Sequence, residues 1–314
     1  MSGIARDHGG GIDAAAQRYG GSRSDWIDLS TGINPVPYPL PPISDDAWTS
    51  LPDRGAFAAL ETAARRFWAV PADAAVLAAP GASALIARIP ALRRAGRAHV
   101  PTPTYNEHAG AFVQEGWSLT SDSPDARVLV HPNNPDGRLW TARDPGDVPL
   151  RIIDESFGDM CPDRSLIALS AAPGTLVLKS FGKFWGLAGL RLGFAIGDPA
   201  LVARLAEMLG PWAVAGPALQ IGMAALSDPA WADETRARLS RDADRLDGLM
   251  TRAGATVAGG TALFRLYDTA DAAALQARLA RARIWTRIFP YSDRWIRLGL
   301  PGSPAAWARL EAAL

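Results

Sequence analysis

The feature that most constrains this chain is a series of short, mostly apolar runs: Val76 to Ala79, Arg127 to Val130, Leu150 to Ile153, Thr175 to Leu178 and Leu192 to Ile196. A strand with one wet face alternates apolar and polar residues, whereas a run apolar at consecutive positions needs cover on both faces. Predicted helices at 57–69, 82–94 and 106–115 supply that cover, and a further strand is expected near Ala98 to Val100. The alternation of strand and helix is that of an α/β domain. From Pro229 an Arg- and Asp-rich helix runs towards Arg252. Strand 261–267, helix 271–282, strands 284–288 and 295–299 and a closing helix follow, which predicts a smaller α+β domain. Residues 1–55 are rich in Gly and Pro, with Pro35, Pro37, Pro39, Pro41 and Pro42 close together, and predict an extended arm without a core of its own. The expected division is therefore an arm at 1–55, a large domain at 56–228 and a small C-terminal domain at 229–314. With 314 residues, 48% of them hydrophobic, the chain has enough apolar surface to bury for both domains.

Lys plus Arg and Asp plus Glu both total 32, a formal charge of +0, so no basic surplus points to nucleic acid or an anionic membrane. A small molecule is the expected partner. Cys161 is the only cysteine, which excludes an intrachain disulfide and argues against a cysteine-based metal site, and no metal is expected. The opening MSGIARDHGGG has no apolar signal core, and no stretch reaches the roughly 20 apolar residues that cross a bilayer. The cytoplasm is the expected location.

The most informative stretch is Ser180-Phe-Gly-Lys183-Phe-Trp-Gly-Leu-Ala-Gly-Leu-Arg191, which places a lysine just past a predicted strand and an arginine eight residues later. A lysine amine can lose its proton and attack an aldehyde, and a guanidinium fork matches phosphate oxygens. Upstream, Arg151-Ile-Ile-Asp154-Glu155 ends another predicted strand in a carboxylate, and ligands of open α/β sheets gather at such ends. Pro80-Gly81-Ala82-Ser83 lies between a strand and a helix, where backbone N–H groups can cradle an anion. His131-Pro-Asn133-Asn134-Pro135-Asp136-Gly137 is a turn by composition, and Pro103-Thr104-Tyr105 brings an aromatic ring before a helix. Trp295-Ile-Arg297 places an arginine on a late strand.

Taken in order, these motifs resemble those of the fold-type I pyridoxal-phosphate (PLP) enzymes, which share the aspartate-aminotransferase fold. The resemblance runs from Gly81 to Arg297 and implies a large domain with a mainly parallel seven-stranded sheet, a small α+β domain, PLP as cofactor and a homodimer. By the same resemblance Lys183 holds the cofactor covalently. Asp154 partners the pyridine nitrogen, Tyr105 stacks on the ring, and Asn134 donates to the phenolic oxygen. Gly81, Ala82, Ser83, Ser180 and Arg191 hold the phosphate, and Arg297 clamps the substrate carboxylate. The chain departs from the family at three points. Gly182 stands where relatives often carry a hydroxyl residue, Phe157 where many aminotransferases carry tyrosine, and Leu51 where relatives often carry a tyrosine that reaches the neighbouring subunit.

The arm narrows the reaction. His8-Gly9-Gly10-Gly11 and Ser30-Thr-Gly-Ile-Asn34-Pro35 resemble the opening of the threonine-phosphate decarboxylases of cobalamin biosynthesis. That implies decarboxylation of L-threonine O-3-phosphate to (R)-1-amino-2-propanol O-2-phosphate. His8, Gly9 and Asn34, with Arg6 and Arg287, are then the candidates for holding the substrate and its phosphate. Two alternatives are a histidinol-phosphate-type aminotransferase and a non-catalytic PLP-binding partner of another cobalamin-pathway protein.

Overall fold

The computed structural model describes residues 7–314; Arg6, a predicted site residue, lies outside the described residues. Its contacts divide the chain into two units. One comprises residues up to Val36 with Pro135–Gly137 and Glu234–Leu314, and the other comprises Pro37–Asn134 and Arg138–Asp233.

The larger unit is built on a seven-stranded sheet in the order Ala75–Ala79, Gly193–Gly197, Thr175–Ser180, Leu150–Asp154, Ala126–Val130, Arg97–His99, Ser118–Leu119. Pairing is parallel from Thr175–Ser180 outward to Ser118–Leu119. Gly193–Gly197 alone runs against its neighbours, antiparallel to both Thr175–Ser180 and Ala75–Ala79. The mainly parallel seven-stranded sheet expected from the resemblance is present. Its central strands are covered on both faces: Leu176, Val177, Leu178, Phe194, Ala195 and Ile196 are all 0% exposed. On one face Phe112 of helix Asn106–Gln114 and Leu205 of helix Pro199–Leu209 pack with Ile152 and Leu178. Helix Pro199–Leu209 starts where Pro199 follows Asp198, whose carboxylate accepts from Ala200 N at 2.8 Å; both residues favour a helix start.

The predicted helix 82–94 is a correction. It closes at Ile86 and gives way to a 3-10 turn, Ile89–Leu92, that contains Pro90. Proline has no N–H to give an α-helix and its ring crowds the preceding turn. The two-residue strand Ser118–Leu119 went unread because both residues are exposed.

In the smaller unit a four-stranded antiparallel sheet runs in the order Arg287–Phe289, Ser292–Gly299, Phe264–Asp268, Thr256–Thr261. The predicted strand 261–267 is thus two paired strands. Thr256–Thr261 contains Gly259 and Gly260 and is largely exposed, so it lacks the apolar density that marks a strand. Asp247 of helix Pro229–Arg252 pins the sheet: Arg265 reaches it with two bonds of 2.9 and 2.7 Å, and Tyr267 Oη donates to it at 2.8 Å.

The arm also differs from expectation, since its start is not extended. Ile12–Tyr19 is a helix whose buried Ile12 and Ala15 pack with Trp26 and Ala280. Ile27–Asp28 pairs in parallel with Ile284–Trp285. Trp285 Nε1 donates to Gly10 O at 2.8 Å, and its ring meets Trp26 edge-on at 6.4 Å. Gly and Pro content hid an apolar face only eight residues long. Among the described residues no helix is long and apolar enough to cross a membrane.

Candidate active site

The sheet topology decides which residues can meet. In a parallel sheet the strand ends share one edge, and the register sets Val130 beside Asp154 and Asp154 beside Leu178. Because Gly193–Gly197 is reversed, its first residue arrives at that same edge, opposite both Ala79 and Ser180. One loop, from Phe181 to Leu192, therefore carries Lys183 out of the sheet and Arg191 back into it. Phe181 N donates to Leu192 O at 3.0 Å and closes its base.

Arg191 has a left-handed backbone, φ 53°, and its Nη1 donates to Ala188 O at 3.0 Å. The guanidinium lies against Gly81, where a Cβ would stand 2.7 Å from Nη2. Gly81 is itself left-handed at φ 83°, so close approach and backbone conformation both require glycine. Ser180 Oγ accepts from Gly182 N at 3.2 Å. The Lys183 ammonium lies 5.3 Å from the centre of the Phe157 ring.

Asp154 is 2% exposed and accepts three hydrogen bonds. His108 Nε2 lies 2.8 Å from Oδ2, and Ser156 gives Oδ1 its backbone N at 2.9 Å and its hydroxyl at 2.5 Å. Burial alone would raise its pKa, but His108 and Ser156 hold the carboxyl below the usual carboxylate range. It is an anion at neutral pH. Tyr105 meets His108 edge-on at 6.1 Å. Asn133 is tied down by Thr104 Oγ1 at 2.6 Å and by its own Nδ2 donating to Pro103 O at 3.0 Å, which joins the Tyr105 and Asn134 loops.

These loops enclose a recess of about 670 Å³ of unfilled space, part of it open to solvent. Ala82, Ser83, Tyr105, Asn134, Asp154, Ser180, Lys183 and Arg191 all line it, so eight of the predicted residues share one cavity. Gly81 stands beside it under Arg191. The donor set fits PLP. A guanidinium with two serine hydroxyls suits a phosphate dianion, a buried carboxylate suits a protonated ring nitrogen, and an amine is available for an aldehyde.

The remaining predicted residues belong to the smaller unit. Arg297 is 3% exposed and its Nη2 donates to Ser30 O at 2.5 Å. Burial, with the Arg287 guanidinium nearby, pulls its pKa down to about 9. Arg287 Nη2 donates to Asp7 O at 2.8 Å and to Asp7 Oδ2 at 2.9 Å. His8 is exposed, and Gly9 passes so close to Ser30 that a Cβ would lie 2.5 Å from its carbonyl oxygen. Asn34 is 2% exposed, with Oδ1 accepting from Val36 N at 3.1 Å and Arg238 Nη2 at 2.7 Å.

The family model described as aminotransferase class I and II matches residues 118–310. The chain belongs to the class I and II aminotransferase family. Within this family, it is 43% identical over 326 residues to a threonine-phosphate decarboxylase from Pseudomonas aeruginosa, covering 98% of this chain and 97% of that protein. A threonine-phosphate decarboxylase from a Sinorhizobium species is 40% identical over 98% of this chain and 97% of its own length. Among solved structures, a histidinol-phosphate aminotransferase from Sinorhizobium meliloti, in complex with pyridoxal-5'-phosphate, superposes with a TM-score of 0.82 over 97% of this chain and 93% of its own. At 18% identity that likeness is one of fold.

Sequence reasoning about this aminotransferase-family chain missed His108 and Asn133. The signal for His108 was its place three residues after Tyr105, at the start of helix Asn106–Gln114, a spacing that sets two side chains on one helical face. Asn133 was quoted only as the neighbour of Asn134. Its buried bonds to Thr104 and Pro103, about 30 residues away in sequence, have no local pattern to announce them.

Proposed function

We propose that this chain is a PLP-dependent decarboxylase that converts L-threonine O-3-phosphate to carbon dioxide and (R)-1-amino-2-propanol O-2-phosphate, a step of cobalamin biosynthesis. The observation that carries this reading is identity of 43% and 40% over nearly the whole chain to two threonine-phosphate decarboxylases. It is joined to a recess in which Lys183, Asp154 and Arg191 face one space. When bound, PLP supplies an electron sink for the pair released from the substrate's α-carbon.

The chain's own residues do the rest. Arg191, Ser180 and Ser83 anchor the cofactor phosphate, with Gly81 leaving room for the guanidinium. Asp154, kept ionised by His108 and Ser156, holds the proton on the ring nitrogen. Tyr105 would pack against the cofactor ring and Asn134 would donate to its phenolic oxygen. Lys183 would hold the cofactor aldehyde covalently at rest, and its ammonium would be the acid that gives a proton to the substrate's α-carbon once carbon dioxide has left. Arg297 would clamp the substrate carboxylate and so fix the orientation of the Cα–carboxylate bond that is broken. His8, Gly9 and Arg287 would serve the substrate phosphate, and Asn34 would contribute to substrate binding. No net oxidation occurs, so no second substrate is needed.

We assign the enzyme to the cytoplasm as a homodimer. Leu40, Trp48 and Leu51, which are 63%, 68% and 67% exposed, support burial against a second copy. The deciding experiment incubates PLP-loaded protein with L-threonine O-3-phosphate alone. Equal amounts of carbon dioxide and 1-amino-2-propanol phosphate, lost in Lys183→Ala, are the expected result. Amino exchange between histidinol phosphate and 2-oxoglutarate, with no carbon dioxide from threonine phosphate, would overturn the assignment.

A further inference from the structure

Behind the recess lies a second polar cluster. Side chains alternate along a strand, so Glu155, next to Asp154, and Lys179, next to Ser180, point to the side of the sheet away from the cavity. Lys179 is 2% exposed and Glu155 is 1% exposed. Lys179 Nζ donates to Glu155 Oε2 at 2.6 Å and lies 3.7 Å from Asp159 Oδ1. Glu155 also accepts from Ser165 Oγ at 2.7 Å and from Leu166 N at 2.6 Å. Asp159 accepts from two indoles, Trp68 Nε1 at 2.8 Å and Trp185 Nε1 at 3.0 Å. The half-buried Cys161 thiol is the remaining titratable group that Lys179 meets there.

Four members of the cluster sit one or two positions from a group that faces the recess. Glu155 follows Asp154, Lys179 precedes Ser180, Asp159 is two residues past Phe157 and Trp185 is two residues past Lys183. The cluster therefore bonds the backbone that carries the aspartate to the backbone that carries the lysine. Trp185 is held further by stacking between Phe181 at 5.1 Å and Trp231 at 5.3 Å, each 13° from parallel. Paired buried charges are no reliable source of stability, because desolvation offsets their attraction. What a buried cluster bonded across several chain segments does supply is fixed geometry.

We infer that Glu155, Lys179 and Asp159, acting through Trp185, are positioning residues that set the separation and orientation of Lys183 relative to Asp154. None of them touches the recess. The inference rests on the proposed PLP chemistry, so its test uses a spectral readout as well as turnover.

The experiment compares Lys179→Arg, Lys179→Met and Trp185→Phe. The last removes the indole bond to Asp159 together with part of the buried ring area, and keeps an aromatic ring in the stack. PLP is bound to each variant, and the absorbance of the lysine-bound cofactor is titrated with pH. The expected result is that Lys179→Arg keeps the wild-type midpoint, while Lys179→Met and Trp185→Phe move it by about half a pH unit or more. Their kcat falls roughly 10- to 100-fold with a smaller change in KM, as displacement of a reacting group predicts. Should Lys179→Met fail to fold, Trp185→Phe decides alone. Variants that bind PLP with the wild-type midpoint and wild-type kcat, and differ only in melting temperature, would show the cluster to be structural and overturn the inference. If the wild type releases no carbon dioxide, the assigned reaction fails while the spectral comparison still judges the positioning role.

Discussion

His108 Nε2 and Asp154 Oδ2 stand 2.8 Å apart, and both side chains are 2% exposed. Removing the imidazole leaves a buried carboxylate with only Ser156 to satisfy it, and a hydrogen bond to a charged group contributes about 1.5–3 kcal/mol. His108→Leu should therefore bind PLP about 10- to 100-fold more weakly while keeping the cofactor's covalent link to Lys183. Equilibrium titration of the apo protein with PLP measures this. An unchanged dissociation constant would mean that Ser156 alone governs the carboxylate.

Acid stability should report on Glu155. Burial raises its pKa, but Lys179, Ser165 and the Leu166 amide together hold it below the ordinary carboxylate range. A carboxylate with a depressed folded pKa contributes stability that is complete above its unfolded value of about 4.3 and is lost as the pH falls through the folded value. Lys179 is the converse case. Burial pulls its pKa down, yet Glu155 and Asp159 raise it more, so its contribution is complete below about pH 10.4 and is lost only as the pH rises through the still higher folded value. Glu155→Gln should thus be about 3–5 kcal/mol less stable than wild type at pH 7, with the gap narrowing below pH 4. Urea unfolding at pH 7, 4 and 3 tests it, and a gap independent of pH would sink the argument.

Burial, followed by the Glu155 and Asp163 carboxylates, pushes the Cys161 thiol up to about 11. Its thiolate fraction at pH 8 should be roughly 100-fold below that of an ordinary exposed thiol, and alkylation slower in proportion. Intact-mass analysis after iodoacetamide treatment, native and in urea, distinguishes the two rates. Equal rates in both states would show the thiol to be freely ionised in the fold.

Two glycines at the recess should respond in opposite ways. Gly81→Ala costs roughly 1–2 kcal/mol in backbone strain and sets a methyl group against the Arg191 guanidinium, so PLP affinity should fall at least about tenfold. At Gly182 a Cβ would meet Ala188 at 3.4 and 3.6 Å and Ser180 Oγ at 3.5 Å, which is ordinary contact. Gly182→Ser should fold normally and bind PLP at least as tightly as wild type. Weaker binding by the serine variant would show that the loop needs glycine there for another reason.

The parts of the fold that could be read from sequence were those in which one physical demand acts on consecutive residues. Leu176, Val177 and Leu178 are apolar without interruption because both faces of their strand are covered. Asp154 and Lys183 could be located because each follows such a run. The Glu155–Lys179–Asp159 cluster could not, since its partners lie up to 91 residues apart and each looks like an ordinary surface charge in isolation. Helix Ile12–Tyr19 was concealed among glycines, and strand Thr256–Thr261 carries too little apolar character to be seen before its partner is known.

The reversed strand Gly193–Gly197 has a consequence for how the anchor for the phosphate is assembled. Were it parallel like its neighbours, the chain would have to cross the whole sheet before delivering an arginine to the edge where Lys183 emerges. Instead the two residues are joined by eight steps of chain and can never be more than roughly 26–29 Å apart, even when the protein is fully unfolded. Their encounter is a local loop closure with little entropy to lose, so this half of the pocket does not depend on the slow, long-range strand pairings that complete the rest.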